Sequence, residues 1–160
     1  MFDLTASRLV RFAMTITGNQ SDAEDALQSA FSRIAAKPAQ LAAAETPWPY
    51  LIRTVRNECL RLLQKKKRMV NDDFSAMAAS AGNAQTTVEN LAVYEETSEQ
   101  IRRILRSLPQ SQYEVVILKH WEDLTFAEIA EALELPQNTV ASRYRYAMEK
   151  LQRSLEHLTR

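Results

Sequence analysis

Residues 124–155 read LTFAEIAEALELPQNTVASRYRYAMEKLQRSL, and this stretch decides the fold. Thr125 followed three residues later by Glu128 has the pattern of a capping box, which predicts a helix start. The apolar positions of that helix keep the spacing of one buried face: Phe126, Ile129, Ala130 and Leu133. After a break at 134–136, a second apolar stripe comprises Val140, Tyr144, Ala147, Leu151, Leu155 and Leu158. Two helices joined so closely predict a helix-turn-helix, whose second helix can enter the DNA major groove. Periodicity alone also allows an ordinary helical hairpin.

The composition predicts an all-α protein, because the chain has only 2 Gly in 160 residues and no alternating strand pattern. The formal net charge is +0, so overall charge does not mark a nucleic-acid binder. Cys59 is the only cysteine, which excludes an internal disulfide and fits a reducing cytosol. The sequence has neither a signal-peptide pattern nor an apolar run of about 20 residues. We therefore expect a soluble, cytoplasmic protein without membrane insertion.

Three amphipathic helices are predicted in residues 1–68. The first ends near Gly18, a residue suited to helix C-termini, and buries Leu9, Phe12, Ala13 and Ile16. The second begins at Ser21, where Glu24 completes a capping-box pattern, and buries Ala23, Leu27, Ala30, Phe31 and Ile34. Residues 37–47 are expected to form a loop or a frayed helix end. The third helix runs over about 48–68 and turns toward the core Trp48, Leu51, Ile52, Val55, Cys59, Leu62 and Leu63.

A polar segment rich in Ala and Ser, residues 69–93, predicts a flexible linker. Beyond it, a new helical pattern ends at Pro109 and comprises Ile101, Ile104, Leu105 and Leu108. Ser111 with Glu114 then predicts the cap of a further helix, which precedes the helix-turn-helix. The chain is therefore predicted to hold two small helical domains, residues 1–68 and 94–160, joined by the linker.

The third helix carries a basic cluster, formed by Arg53, Arg56, Arg61, Lys65, Lys66, Lys67 and Arg68. Cations stabilise a helix C-terminus through the helix dipole, which accounts for some of these residues. The cluster contains more basic residues than a helix C-terminus requires. It is therefore interpreted either as a phosphate-binding surface, which is the more specific hypothesis, or as a solvated helix end.

Three segments, in this order, resemble conserved regions of bacterial sigma factors. AEDALQSAF at 23–31 resembles the second region, and WPYLIRTVRN at 48–57 resembles the adjoining promoter-melting segment. Residues 108–155, with EIA at 128–130 and TVASR at 139–143, resemble the fourth region. The order, the spacing and the lack of other regions are similar to the extracytoplasmic-function (ECF) group of the sigma-70 family.

The resemblance implies a factor that binds core RNA polymerase and directs initiation at promoters, with no catalytic residue, metal or cofactor of its own. In this family the second helix docks on the clamp helices of the largest polymerase subunit, which implies a polymerase-binding role for Glu24, Asp25, Gln28 and Ser32. From the residues alone, plain solvent exposure of that face is equally open. An anti-sigma factor is a further partner that the resemblance implies.

The resemblance also implies two contacts with promoter DNA. The third helix of the family helps to open the minus-ten element, which implies DNA contacts by Trp48, Tyr50, Arg53, Arg56, Asn57, Arg61 and Lys65. Unstacking a base costs about a few kcal/mol, and aromatic and basic side chains on a single strand can offset that cost. The helix-turn-helix reads the minus-thirty-five element as duplex, which implies contacts by Asn138, Thr139, Ser142, Arg143 and Arg145.

The sequence departs from the family pattern in its last helix and in the preceding turn. Ala141 replaces a usual basic residue, and Tyr146 and Met148 stand where the family often has Arg, so fewer phosphate contacts are expected. Glu134 replaces the usual turn Gly, with a strain of about 1 kcal/mol if that residue has positive φ.

Three competing functions follow from the same residues. The first is a sigma-like decoy that binds polymerase or an anti-sigma factor without promoter recognition, which the weakly basic last helix favours. The second is a stand-alone helix-turn-helix regulator with an N-terminal dimerisation domain. An enzyme is disfavoured, because the sequence has no Gly-rich phosphate loop, metal-ligand cluster or paired nucleophile, and His120 and His157 are isolated.

Overall fold

The structure, a computed structural model, describes residues 2–73 and 99–158. Every regular element within them is helical, so the all-α prediction is confirmed for this part of the chain. The helices are α1 (Phe2–Thr17), α2 (Gln20–Ala36), α3 (Pro38–Ala42), α4 (Pro47–Asp73), α5 (Glu99–Arg106), α6 (Gln110–His120), α7 (Phe126–Leu133) and α8 (Gln137–Leu158). None of these helices is both long and apolar enough to cross a membrane.

The chain divides into two compact units. The first contains α1–α3 and α4 from Thr54 onward, and the second contains α5–α8 together with residues 48–53. Most of the predicted linker, from residue 74 onward, lies outside the described residues. Its first residues, 69–73, instead form the end of α4. The predicted domain boundaries of 1–68 and 94–160 stay a prediction.

The core of the first unit lies where α1 packs on α2. Leu9 and Phe12 of α1 are fully buried, as are Ala23 and Ala30 of α2, because the small alanine side chains allow close approach of the two helices. α4 adds the buried side chains of Val55, Cys59 and Glu58. The predicted burial of Phe31 is wrong, since this side chain is 37% exposed on the outer face of α2.

The predicted capping box at Ser21 is wrong, because the N-cap of α2 is Asn19. The Asp22 amide donates to Asn19 Oδ1 at 2.8 Å, and Asn19 Nδ2 donates to Asp22 Oδ2 at 2.8 Å. Gly18, with φ 86°, ends α1 and leaves Asn19 extended between the two helices. The helix therefore begins at Gln20, and Ser21 lies exposed inside its first turn.

Two further predicted boundaries move because proline is compatible with the first turn of a helix. Residues 38–42, expected in a loop, form the short α3 with Pro38 at its start. Likewise, α4 includes Pro47 and continues to Asp73, beyond the predicted end near Arg68.

The second unit is built around α6, whose residues 113–118 are all buried. α8 packs across α5, α6 and α7 and contributes Val140 and Ala147 to the core. The predicted cap at Ser111 is wrong, since α6 begins at Gln110, directly after Pro109. The predicted apolar stripe of α8 is wrong at its end, because Leu155 and Leu158 are exposed.

Candidate nucleic-acid interface

The helix-turn-helix consists of α7, residues 134–136 and α8. The capping box that starts α7 is confirmed: the Glu128 amide donates to Thr125 Oγ1 at 3.2 Å, and the Thr125 amide donates to Glu128 Oε2 at 2.8 Å. At the other end, Glu134 has φ 55°, so the positive φ expected at this turn is present. The Leu135 amide donates to Ala130 O and the Glu134 amide to Glu131 O, which is the pattern of a Schellman motif. The motif turns the chain sharply into α8.

The predicted DNA-reading residues of α8 lie away from its buried side. Val140 and Ala147 are fully buried. Asn138 and Arg145 are exposed, whereas Thr139, Ser142 and Arg143 are half-buried. The N-terminal half of α8 therefore presents amide, hydroxyl and guanidinium groups, which are the groups that bind base edges and phosphates.

α8 is held against the rest of the unit by polar and aromatic contacts. His120 Nε2 and the Tyr144 hydroxyl are 3.0 Å apart, so His120 is not isolated as the sequence suggested. The Phe126 ring meets Tyr144 edge-on at a centroid distance of 5.2 Å. Further along α8, Lys150 Nζ donates to Ser107 O at 2.5 Å. These contacts link α8 to both preceding helices and to the end of α5, and so fix the register of its exposed face.

Part of the basic cluster on α4 is committed to contacts within the first unit. Glu58 is buried and forms ion pairs with Arg33 of α2 and, at 2.6 Å, with Arg61. Lys66 Nζ lies 2.6 Å from both carboxylate oxygens of Asp22. The Arg33–Glu58 and Lys66–Asp22 pairs clamp α2 onto α4, whereas the Arg61–Glu58 pair lies within α4. The structure thus gives Arg61, a predicted DNA contact, a structural partner.

The Lys66 ion pair stabilises the charged form of the Asp22 carboxylate. Burial alone raises the pKa of Asp22. The hydrogen bonds from Lys66 and Asn19, together with the positive charge of Lys66, outweigh burial and hold the pKa of Asp22 below its ordinary value. The carboxylate therefore stays ionised, and the Lys66 ammonium is occupied by it.

The other predicted residues of α4 are placed in two groups. Trp48 and Tyr50 are half-buried in its first turns, and the Arg53 guanidinium lies 5.3 Å from the centre of the Tyr50 ring. Further along, Arg56 and Asn57 are half-buried, whereas Lys65 is exposed. Tyr50 and Arg53 thus form an aromatic-basic group at the start of α4, and Lys65 is an exposed basic residue near its end.

The four predicted polymerase-binding residues share the exposed side of α2. Glu24, Asp25, Gln28 and Ser32 are all exposed. A shallow groove of 440 Å³ runs along this side, and its lining comprises Glu24, Leu27, Gln28, Phe31, Ser32 and Ala35. Asp25 is not part of that lining. Its lining combines apolar side chains with polar ones, a combination suited to binding a partner helix.

Sequence reasoning missed the burial of four acidic residues and the exposure of Tyr146; within the described residues the buried acids are Asp22, Glu58, Glu114 and Glu122. Helical periodicity places Asp22 on the same face as the buried Ala26 and Ala30, four and eight residues later, and a carboxylate on a core face could have indicated an ion pair. Within the described residues, no group of three or more His, Cys, Asp or Glu side chains is placed to hold a metal ion.

Two family models match the chain. "Sigma-70 region 2" matches residues 1–69, and "Sigma-70, region 4" matches residues 98–151. The first match covers α1–α3 and most of α4, and the second covers α5–α7 and α8 as far as Leu151.

Proteins similar to this chain are also sigma factors. The ECF RNA polymerase sigma factor SigW of Bacillus subtilis is 27% identical over 169 residues, covering 98% of this chain and 87% of the relative. The RNA polymerase sigma-E factor of Streptomyces avermitilis is 27% identical over 148 residues, covering 92% and 79%. Among solved structures, the sigma factor RpoE of Bartonella quintana, in complex with the anti-sigma factor NepR, has a TM-score of 0.70 at 21% identity. That match covers 96% of this chain and 92% of the Bartonella chain, and shows a shared fold.

Proposed function

Because this chain belongs to the sigma-70 family of RNA polymerase sigma factors, in its extracytoplasmic-function group, we propose which of its faces bind polymerase and which bind promoter DNA. A factor of this family binds core RNA polymerase and directs promoter-specific initiation. The polymerase performs the chemistry, so we assign no catalytic residue or cofactor to the chain. Its place of action is that of its polymerase, the cytoplasm.

The α2 groove binds core polymerase. Leu27 and Phe31 supply apolar contact, and the lining residues Glu24, Gln28 and Ser32, with Asp25 beside them, supply polar contact. Phe31 supports this assignment, because a large apolar side chain that is 37% exposed gains from burial against a partner.

Alanine variants test the groove. Asp25→Ala with Gln28→Ala, and separately Phe31→Ala, should weaken association of the chain with core polymerase. Ser29→Ala, also exposed on α2 but outside the groove lining, serves as the matched control. Unchanged association of all variants, with wild-type helicity and stability, would rule out this face.

Promoter duplex binds the N-terminal half of α8. The observation that carries this assignment is the helix-turn-helix itself, whose second helix buries Val140 and Ala147 while Asn138 and Arg145 stay exposed. Asn and Arg can form paired hydrogen bonds to adenine and guanine, respectively. Thr139 and Ser142 suit phosphate contacts that fix register.

The test uses holoenzyme reconstituted from the full chain and core polymerase, with a selected promoter and a duplex of scrambled sequence at two salt concentrations. Arg143→Ala should cost about 1–3 kcal/mol and relax preference at one base pair if Arg143 contacts a base. If Arg143 contacts phosphate, binding should fall equally on both duplexes. A wild-type holoenzyme that does not distinguish the duplexes would favour the decoy function instead.

Near the melted segment, α4 offers Trp48, Tyr50, Arg53, Arg56, Asn57 and Lys65 to DNA. The Arg53–Tyr50 contact supports this assignment, because aromatic and cationic groups together favour single-stranded nucleic acid. Arg56→Glu should impair open-complex formation more than association with core polymerase. Open complexes that form normally at moderate salt would remove α4 from the DNA interface.

An anti-sigma factor is the further partner we propose. The support is the Bartonella relative, whose structure holds an anti-sigma factor and shares this fold. Recovery of a protein that binds the chain and competes with core polymerase would establish the partner. A chain whose association with polymerase no cellular protein inhibits would contradict it.

A further inference from the structure

Tyr146 is a large aromatic side chain that projects from α8 without a place in the core. Its side chain is 52% exposed, although neighbouring Ala147 is fully buried. Asn138, Ser142 and Tyr146 follow one another at intervals of four, so they lie along one side of the helix. That is the side proposed above to face duplex DNA.

Tyr146 has a cation as its neighbour. The guanidinium carbon of Arg145 lies over the Tyr146 ring, 5.0 Å from its centre. At this distance the ring attracts the cation electrostatically, and a planar guanidinium also stacks on aromatic faces. Arg145 is exposed and forms no ion pair with any residue that the structure describes, so its N–H donors remain available to a ligand.

Arg153, in the C-terminal half of α8, is engaged differently. Arg153 pairs with Glu149 at 3.8 Å, one turn earlier on the helix. The Glu149 carboxylate offsets part of the positive potential near Arg153, although this exposed pair is weak, whereas the neutral Tyr146 ring adds no opposing charge beside Arg145. The Arg145–Tyr146 contact therefore orients a cation without neutralising it.

We propose that Tyr146 is a specificity-determining residue of the promoter interface, which acts by positioning Arg145 on its ring for contact with a base edge. A free arginine side chain loses rotamer entropy when it is fixed, and a stacked one has lost part of it before binding. The ligand is a guanine in duplex DNA, since its O6 and N7 atoms accept two hydrogen bonds from one guanidinium. This inference rests on the proposed function of α8.

The experiment compares Tyr146→Phe, which keeps the ring, with Tyr146→Leu, which removes it, each with Arg145 present and with Arg145→Ala. The probe is reconstituted holoenzyme, and the readout is the ratio of affinities for a selected promoter and for a duplex scrambled at the minus-thirty-five element. Arg153→Ala is the matched control, because it removes a cation of α8 that does not stack on Tyr146.

We expect Tyr146→Leu to lower the ratio about fivefold and Tyr146→Phe to leave it within about twofold of wild type. With Arg145→Ala, neither change should lower the ratio further. Arg153→Ala should leave the ratio unchanged.

Three results would overturn the inference while wild type still discriminates: an unchanged ratio for Tyr146→Leu, equal losses for Tyr146→Phe and Tyr146→Leu, or a full effect of Tyr146→Leu without Arg145. A wild-type holoenzyme that does not discriminate would overturn the proposed function, and this inference with it.

Discussion

Two single residues occupy left-handed backbone that glycine adopts more easily: Asp123 with φ 54° and Glu134 with φ 55°. This conformation costs a residue with a Cβ atom about 1–2 kcal/mol, while glycine loses about 0.4–1 kcal/mol through greater freedom of the unfolded chain. We expect Asp123→Gly and Glu134→Gly each to raise the free energy of unfolding by about 0.5–1 kcal/mol. Urea denaturation measures the change. Glu131→Gly, inside α7, should lower stability by about 1 kcal/mol, and a gain there would contradict the argument.

Tyr113 is a single residue whose buried hydroxyl affects stability. Its side chain is buried, and its hydroxyl has no hydrogen-bond partner among the described residues. Tyr113→Phe should therefore leave the free energy of unfolding unchanged or raise it by up to about 1 kcal/mol. Tyr144→Phe removes a hydroxyl that lies 3.0 Å from His120 Nε2, and it should lower stability by about 0.5–1.5 kcal/mol. The reverse order of the two variants would refute this.

The same residue gives stability a dependence on alkaline pH. Burial raises the pKa of Tyr113 above its ordinary value, against the smaller lowering effect of Arg106. The unfolded chain therefore loses this proton first. Ionisation of Tyr113 therefore leaves the free energy of unfolding unchanged below about pH 10 and lowers it as the pH rises above that value. Wild type should lose stability more steeply than Tyr113→Phe in that range, and parallel curves would contradict the assignment.

At the scale of single elements, two residues at the start of α2 are candidates for its N-cap, Asn19 and Ser21. Asn19 bonds the Asp22 amide, whereas Ser21 is exposed inside the first turn. Asn19→Ala should lower the free energy of unfolding by about 0.5–2 kcal/mol, and Ser21→Ala should change it by less than about 0.5 kcal/mol. Thermal or urea denaturation of both variants decides between the two residues. A larger loss for Ser21→Ala would restore the capping box.

On α4, the ion pairs separate a structural arginine from an available lysine. Arg61 pairs with the buried Glu58, while Lys65 is exposed. Arg61→Gln should lower the free energy of unfolding by about 1 kcal/mol, because it removes one partner of a buried carboxylate. Lys65→Gln should leave stability unchanged and slow open-complex formation. Equal stability of the two variants would show that Glu58 does not need Arg61.

The sequence predicted the helices and their buried positions better than it predicted the contacts between helices. Helix identity and the buried positions Leu9, Phe12, Ile129 and Val140 follow from apolar spacing, which depends only on local geometry. The choice of Asn19 over Ser21 did not follow, because both residues suit an N-cap and the end of α1 decides between them. The clamp between Asp22 and Lys66 joins residues 44 positions apart, and no local pattern encodes such a pairing.

In the whole molecule, the predicted linker should be the preferred site of proteolysis. Residues 69–93 contain no Lys or Arg, so trypsin has no site within the predicted linker, whereas a protease specific for Glu can cut at Glu89. We expect the second protease to release two fragments that each stay helical and unfold cooperatively, because α1–α4 and α5–α8 both contain buried apolar residues. Loss of helicity in either fragment after cleavage would contradict two separate domains.

The left-handed residues of the second unit also bear on how this protein can evolve. Every Glu and Asp codon becomes a Gly codon by one A-to-G change at its second base, so relief of either backbone strain is a single mutational step away. Chains that have drifted toward instability regain margin through such steps, because stabilising substitutions are common in proteins near their stability threshold. A random library selected for heat resistance should therefore recover glycine at 123 and 134 early and repeatedly, before changes in the closely packed core.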